Sequence, residues 1–116
     1  MSNKKTENQI KKILNYCKKI DKTNDKKYIF SEEESFYYDL ICFYIIQIGE
    51  IVNKLDEGFI KKYNEISWNS IRGMRNVLVH NYGALNKQII DETINKDIPI
   101  LKNFCVSYLD KNNANL

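Results

Sequence analysis

The chain's one histidine and its only two arginines fall within nine residues, in the run Ile71-Arg72-Gly73-Met74-Arg75-Asn76-Val77-Leu78-Val79-His80-Asn81-Tyr82. Sixteen lysines stand against those two arginines, so the clustering is informative. Arginine presents a rigid fork of donors that matches phosphate oxygens, which lysine cannot reproduce. Histidine, with an ordinary pKa of ~6.5, both takes and gives a proton near neutrality. Together they are the parts for cleaving RNA without a metal: a base for the 2′-hydroxyl, an acid for the leaving oxygen and a cation for the charge building on phosphorus. The plainer reading is that a histidine at a helix end caps or packs, while a nearby arginine answers the helix dipole.

The elements that must position these residues read as helices. Ile10, Ile13, Leu14, Cys17 and Ile20 follow helical spacing and predict a first helix over about 6–21, followed by a polar loop. Ser31-Glu32-Glu33-Glu34 reads as a capping box opening a second helix, whose apolar face runs from Tyr37 through Leu40, Ile41, Tyr44, Ile48, Ile51, Val52 and Leu55 to about Asp56. Phe36, Phe43, Ile45 and Ile46 fall off that face, which suggests burial on more than one side, a second subunit included. Gly58 ends this helix, and the segment Phe59 to Ile66 forms a short connector. Ser67 can cap a third helix through Trp68, Ile71, Met74 and Leu78, ending near Asn81 to Gly83, where left-handed backbone is tolerated. A fourth runs from Lys87 to Leu109, with Pro99 expected to break or kink it. No segment alternates with period two. The expected fold is all-α, an up-and-down bundle of four or five helices in one domain, 1–116.

Composition narrows the function classes. With 116 residues, 43% apolar and 28% charged, the chain has the balance of a globular protein. Its longest apolar run, Leu40 to Ile46, is far short of the ~20 residues of a membrane span. The polar start predicts no signal peptide, and a cytoplasmic location without membrane association is expected. A net charge of +3 permits nucleic acid without arguing for it. Fifteen Asn, seventeen Ile and sixteen Lys suggest an AT-rich coding bias. Cys17, Cys42 and Cys105 are odd in number and widely spaced, so they read as reduced core thiols. One histidine and scattered carboxylates make no metal site, and no cofactor is expected.

Arg75 to Tyr82 fits R-x4-H-x-Y, the motif of the HEPN superfamily, and the chain resembles its HepT-type toxins in particular. Gln47-Ile48-Gly49-Glu50 is similar to an IGE segment of that family. Trp68 ahead of Gly73-Met74-Arg75-Asn76 matches its tryptophan and GMRN run, and Asp97-Ile98-Pro99-Ile100-Leu101 matches its D-x-P-x-L element. The resemblance covers about residues 40–109. It implies a metal-independent endoribonuclease, the toxin of a type VII-like toxin–antitoxin pair, working as a homodimer with its cleft between subunits. It implies Arg75 and His80 as the catalytic pair and Asn76 as a supporting polar residue. Tyr82 corresponds to the tyrosine that a partner antitoxin, a minimal nucleotidyltransferase using ATP, modifies with AMP. A rival from another class is a non-catalytic helical module that binds nucleotide or scaffolds a nucleotidyltransferase.

Helical geometry raises a difficulty. Five residues at ~100° each put Arg75 and His80 roughly 140° apart on a straight helix. They share a site only if the helix unwinds near His80 or a second subunit contributes. Glu50 reads equally as a packing or pairing residue and as a cleft residue. Lys4-Lys5, Lys11-Lys12 and Lys18-Lys19 recur every seven residues, as either a solvated face or a track for an RNA backbone. Tyr37 and Tyr44, on an apolar face, are expected in the core.

Overall fold

A computed structural model describes residues 3–30, 34–81 and 87–112. Asn3 opens the first helix, α1 (Lys4–Asp25): its side chain accepts the Lys5 backbone N–H at 2.7 Å. That bond satisfies one of the N–H groups that a helix start leaves unpaired. The helix outruns the expected 6–21 at both ends because capping and lysine-rich turns sustain it beyond the last apolar residue. A 3-10 turn, Lys27–Phe30, leads to α2 (Glu34–Lys54); the expected cap at Ser31 lies outside the described residues. The second helix stops at Lys54, not Asp56, because Asp56 caps its successor. The Asp56 carboxylate accepts the Phe59 N–H at 3.3 Å, starting α3 (Glu57–Lys62). Then come α4 (Trp68–His80), α5 (Lys87–Glu92), a π-helical turn (Thr93–Asp97) and α6 (Ile98–Lys111). There is no strand among the described residues, and the fold is an all-α bundle.

In the core α2 packs against α1 and α4, and α1 also packs against α6. Ile10, Ile13 and Ile20 from α1 meet Tyr37, Ile41, Ile48 and Val52 from α2, all essentially without exposure. A second row on α2, through Cys42, Ile45 and Gly49, is buried too. By length and composition α2 could cross a membrane; here it is the most enclosed element of the bundle. One expectation needs correcting: Tyr44 is only half-buried. Phe36 and Phe43, seven residues apart on one face, are 59% and 52% exposed in the single chain. Cys17, Cys42 and Cys105 are buried free thiols. Burial pushes Cys17 up to about 12 and Cys42 to about 11, and raises Cys105 as well.

Pro99 neither breaks nor ends the last helical stretch. It sits in the first turn of α6, directly after the π turn, where the Ile98 N–H reaches back to the Thr93 carbonyl. The wider turn absorbs the missing proline N–H and the clash its ring would make one α-turn back. It also keeps Ile90, Ile94 and Ile98, spaced by four, all facing the core. Tyr38 ties α5 to α2: its hydroxyl donates to Asp91 at 3.0 Å and accepts from Lys27 at 3.3 Å. Lys87, where α5 begins, pairs with Glu34 at 3.1 Å.

Candidate active site

The segment that carries the arginines and histidine is anchored at its start by an aromatic cluster. Trp68 Nε1 donates to the Tyr63 carbonyl at 2.9 Å, and its ring lies 5.7 Å from Phe104 and 6.0 Å from Phe59. Ser67 occupies the N-cap position but makes no side-chain cap bond, contrary to expectation; the tryptophan holds this helix end instead. One turn on, Arg72 pairs with Glu57 at 3.1 Å and fastens α4 to α3.

Arg75 faces α2, where Gly49 is buried against it. A Cβ on Gly49 would lie 2.3 Å from the Arg75 Cβ and 2.6 Å from its Cγ, so only glycine lets the helices meet at this level. The next residue on α2, Glu50, engages the guanidinium: Nε and Nη2 both lie against its Oε1. On the other side Nη1 donates to the Asn76 Oδ1 at 2.9 Å. Gly49 makes the space, Glu50 holds one edge of the guanidinium, and Asn76 holds another. Two N–H groups of the fork remain for a ligand.

His80 is exposed, and its imidazole has no hydrogen-bond or ion-pair partner among the described residues. The helix does not unwind before it: α4 continues through His80 and ends at Asn81, whose backbone (φ −150°) is not left-handed. Gly73, Asn76, Val77 and His80 lie at helical spacing along one open stripe of α4, and all four are exposed. Asn76 therefore stands between the two motif residues, about 100° round from Arg75 and one turn before His80. Arg75 Nη1 thus reaches Asn76, a residue that shares the open stripe with His80, while Nε and Nη2 stay on Glu50. Tyr82 and Gly83 lie outside the described residues.

An apolar pocket of about 170 Å³ lies between α2, α4 and α6, lined by Ile45, Ile71, Met74 and Leu101. None of Arg75, Asn76 or His80 lines it. Among the described residues, no three His, Cys, Asp or Glu side chains group as metal ligands would.

Residues 9–108 match the family described as Ribonuclease HepT-like, and the chain belongs to that family. Over 64 residues it is 42% identical to the "Putative RNase" of Caldanaerobacter subterraneus subsp. tengcongensis, covering 55% of this chain and 57% of that protein. Over 109 residues it is 34% identical to the "Gamma-glutamylcyclotransferase and putative RNase" of Methanocaldococcus jannaschii, covering 91% of this chain and 46% of that protein. Over 55 residues it is 33% identical to the "Probable ribonuclease HepT" of Thermococcus cleftensis, covering 47% of this chain and 50% of that protein. The chain thus spans about half the length of these relatives. No solved structure matches it.

Proposed function

We propose that this protein is a metal-independent endoribonuclease whose site is built from Arg75, Asn76 and His80. The observation that carries the reading is the arrangement on α4: a guanidinium braced by Glu50 and Asn76, and one turn past Asn76 an exposed imidazole with no partner among the described residues. The family membership supports the ribonuclease part of this reading. A neutral imidazole accepts the proton of a ribose 2′-hydroxyl as that oxygen attacks the adjacent phosphorus. The bond to the 5′-oxygen breaks, a protonated imidazole supplies the proton that oxygen needs, and a 2′,3′-cyclic phosphate remains. Arg75 binds the two non-bridging oxygens as their charge rises, the moment at which a pre-aimed donor contributes most.

Each chain has a single histidine, whereas base and acid act on opposite sides of the phosphorus. A homodimer supplies two. The exposed α4 stripe, with no side chain at Gly73, and the exposed Phe36 and Phe43 on α2 are surfaces for that pairing. In this reading the protein is the toxin of a toxin–antitoxin pair in the cytoplasm. Its antitoxin, a nucleotidyltransferase using ATP, adds AMP to Tyr82. A nucleotide there, two residues past His80, adds negative charge that competes with RNA for Arg75.

The test is RNA cleavage by the purified chain in EDTA, with products checked for cyclic phosphate ends. Cleavage that persists under chelation and disappears in Arg75→Ala and His80→Ala supports the reading. Activity lost on chelation, or retained by both variants, overturns it; no cleavage by the folded dimer favours the scaffold alternative. Tyr82→Phe is expected to keep cleaving RNA yet gain no AMP-sized mass from the partner enzyme and ATP.

A further inference from the structure

Glu50 borders two places at once. Besides holding Arg75, it lines a groove of about 290 Å³ on the outer edge where α1 meets α2, formed by Lys12, Asn15 and Tyr16 from α1 with Gln47, Glu50 and Lys54 from α2. The walls are fixed. Gln9 Nε2 donates to the Lys54 carbonyl at 3.2 Å, fastening the two helices near Lys54. The Tyr16 ring packs against Tyr44 with centroids 6.0 Å apart, and the Lys19 amine lies 5.4 Å from its centre. The amines of Lys12 and Lys54 are exposed and form no ion pair among the described residues. The groove's one carboxylate, Glu50, is already engaged by Arg75.

The groove also lies on a longer feature. Lys5, Lys12 and Lys19 recur every seven residues on one face of α1, with Asn8 and Asn15 between them and no carboxylate on the stripe. Fourteen helical residues span about 21 Å, room for several nucleotides beside the Arg75 site. Cations with no competing acid, amides able to meet base edges and an aromatic ring at one wall are the components of a single-strand binding track.

We propose that the α1–α2 groove is a subsite for single-stranded RNA next to the phosphate held at Arg75, with Lys12 and Lys54 meeting phosphates and Tyr16 carrying a base. The proposal rests on the ribonuclease reading, since the scissile phosphate at Arg75 sets which stretch of strand reaches the groove. Glu50 then separates the two compartments: it fixes the cation of the cleaving site and forms a wall of the binding one.

The test measures binding of a fluorescent mixed-sequence octanucleotide to the His80→Ala protein over a range of salt. Removing two phosphate contacts in Lys12→Ala/Lys54→Ala should weaken binding about tenfold and flatten the salt dependence by roughly 1.4 log units per log unit of salt. Tyr16→Leu, which keeps an apolar contact to Tyr44, should weaken binding about three- to tenfold without changing that slope. Lys26→Ala/Lys96→Ala, with the same loss of charge outside the groove, is the control. Unchanged affinity and slope in the groove variant, or an equal loss in the control, overturns the assignment and leaves the groove to a protein partner. If wild type fails to cleave RNA but octanucleotide binding still depends on Lys12 and Lys54, the ribonuclease reading falls and the groove stands as an RNA-binding surface.

Discussion

The two faces of α4 are built in opposite ways. On the side toward α2, Arg75 sits over a glycine, is gripped by Glu50 and is steadied by Asn76, so its position follows from contacts across two helices. On the open side, His80 ends the helix exposed and with no partner among the described residues. The difference suits the chemistry proposed for each. A cation that stabilises a developing charge gains from being aimed in advance, because no reorganisation is then needed as the charge appears. A proton carrier must reach its oxygen of the substrate and change protonation state there, which a buried, bonded imidazole would resist.

Substituting each residue of the pair tests that contrast most severely. Arg75→Ala and His80→Ala should each lower RNA cleavage by about 10²–10⁴-fold. Their stabilities should part company. Arg75→Ala should lose about 1 kcal/mol in urea unfolding, because Glu50 keeps half-buried charge with no counter-ion. His80→Ala should stay within about 0.5 kcal/mol of wild type. Equal stability losses would mean that the histidine is as integrated as the arginine. Gly49→Ala attacks the braced side from α2. The added methyl would overlap the Arg75 Cβ and Cγ well inside van der Waals contact, so the fold should lose about 1–3 kcal/mol and cleavage should fall with it.

Glu50→Gln is milder. It keeps the shape and one acceptor but removes the charge, so cleavage should drop about tenfold to a hundredfold with little change in thermal midpoint. A full loss of folding would instead make Glu50 a core residue. The smallest effect belongs to the interior. Burial and the bond to Asp91 raise Tyr38 from 10.0 to about 12, and burial raises Cys17 and Cys42 from 9.0 to about 12 and about 11. All three are neutral in the fold and ionise more easily when unfolded. Their contribution is therefore complete below pH 9 and lost as pH rises toward 11–12. Circular dichroism melts under reducing conditions should show a falling midpoint across that window, with a shallower fall in Tyr38→Phe.

The residues of this contrast were legible in the sequence to different depths. Helical spacing placed the cores of α1, α2 and α4, because apolar periodicity reports burial directly. The ends were less legible. Asn3 and Asp56 proved to be caps that no apolar pattern announces, whereas Ser67, which fits the pattern, caps nothing. For the site, Arg75 and His80 stand out by type and clustering and Asn76 by the family resemblance, but the pairing with Glu50 lies 25 residues away and needs the α2–α4 packing to be seen. A signal for it did exist. A glycine within a strongly apolar helix costs about 1 kcal/mol relative to alanine, and so asks for a close-approach partner. The roughly 140° between Arg75 and His80 describes backbone directions on a helix that stays regular through His80, whereas the contact to Asn76 is made at the tip of a long side chain.

The π turn before Pro99 couples two features that look separable in the sequence. An extra residue per turn can be deleted from a helix while leaving the faces on either side in phase, so a one-residue deletion at Asn95 should suit the core well. With the spare residue gone, however, the Pro99 ring would meet the carbonyl four residues before it, at a cost of about 3 kcal/mol. The deletion and Pro99→Ala should therefore be epistatic, with the shortened chain folding well only when the proline is also replaced. In a double-mutant cycle the coupling energy would appear outside the α4 motif, as a constraint on chain length and not on chemistry.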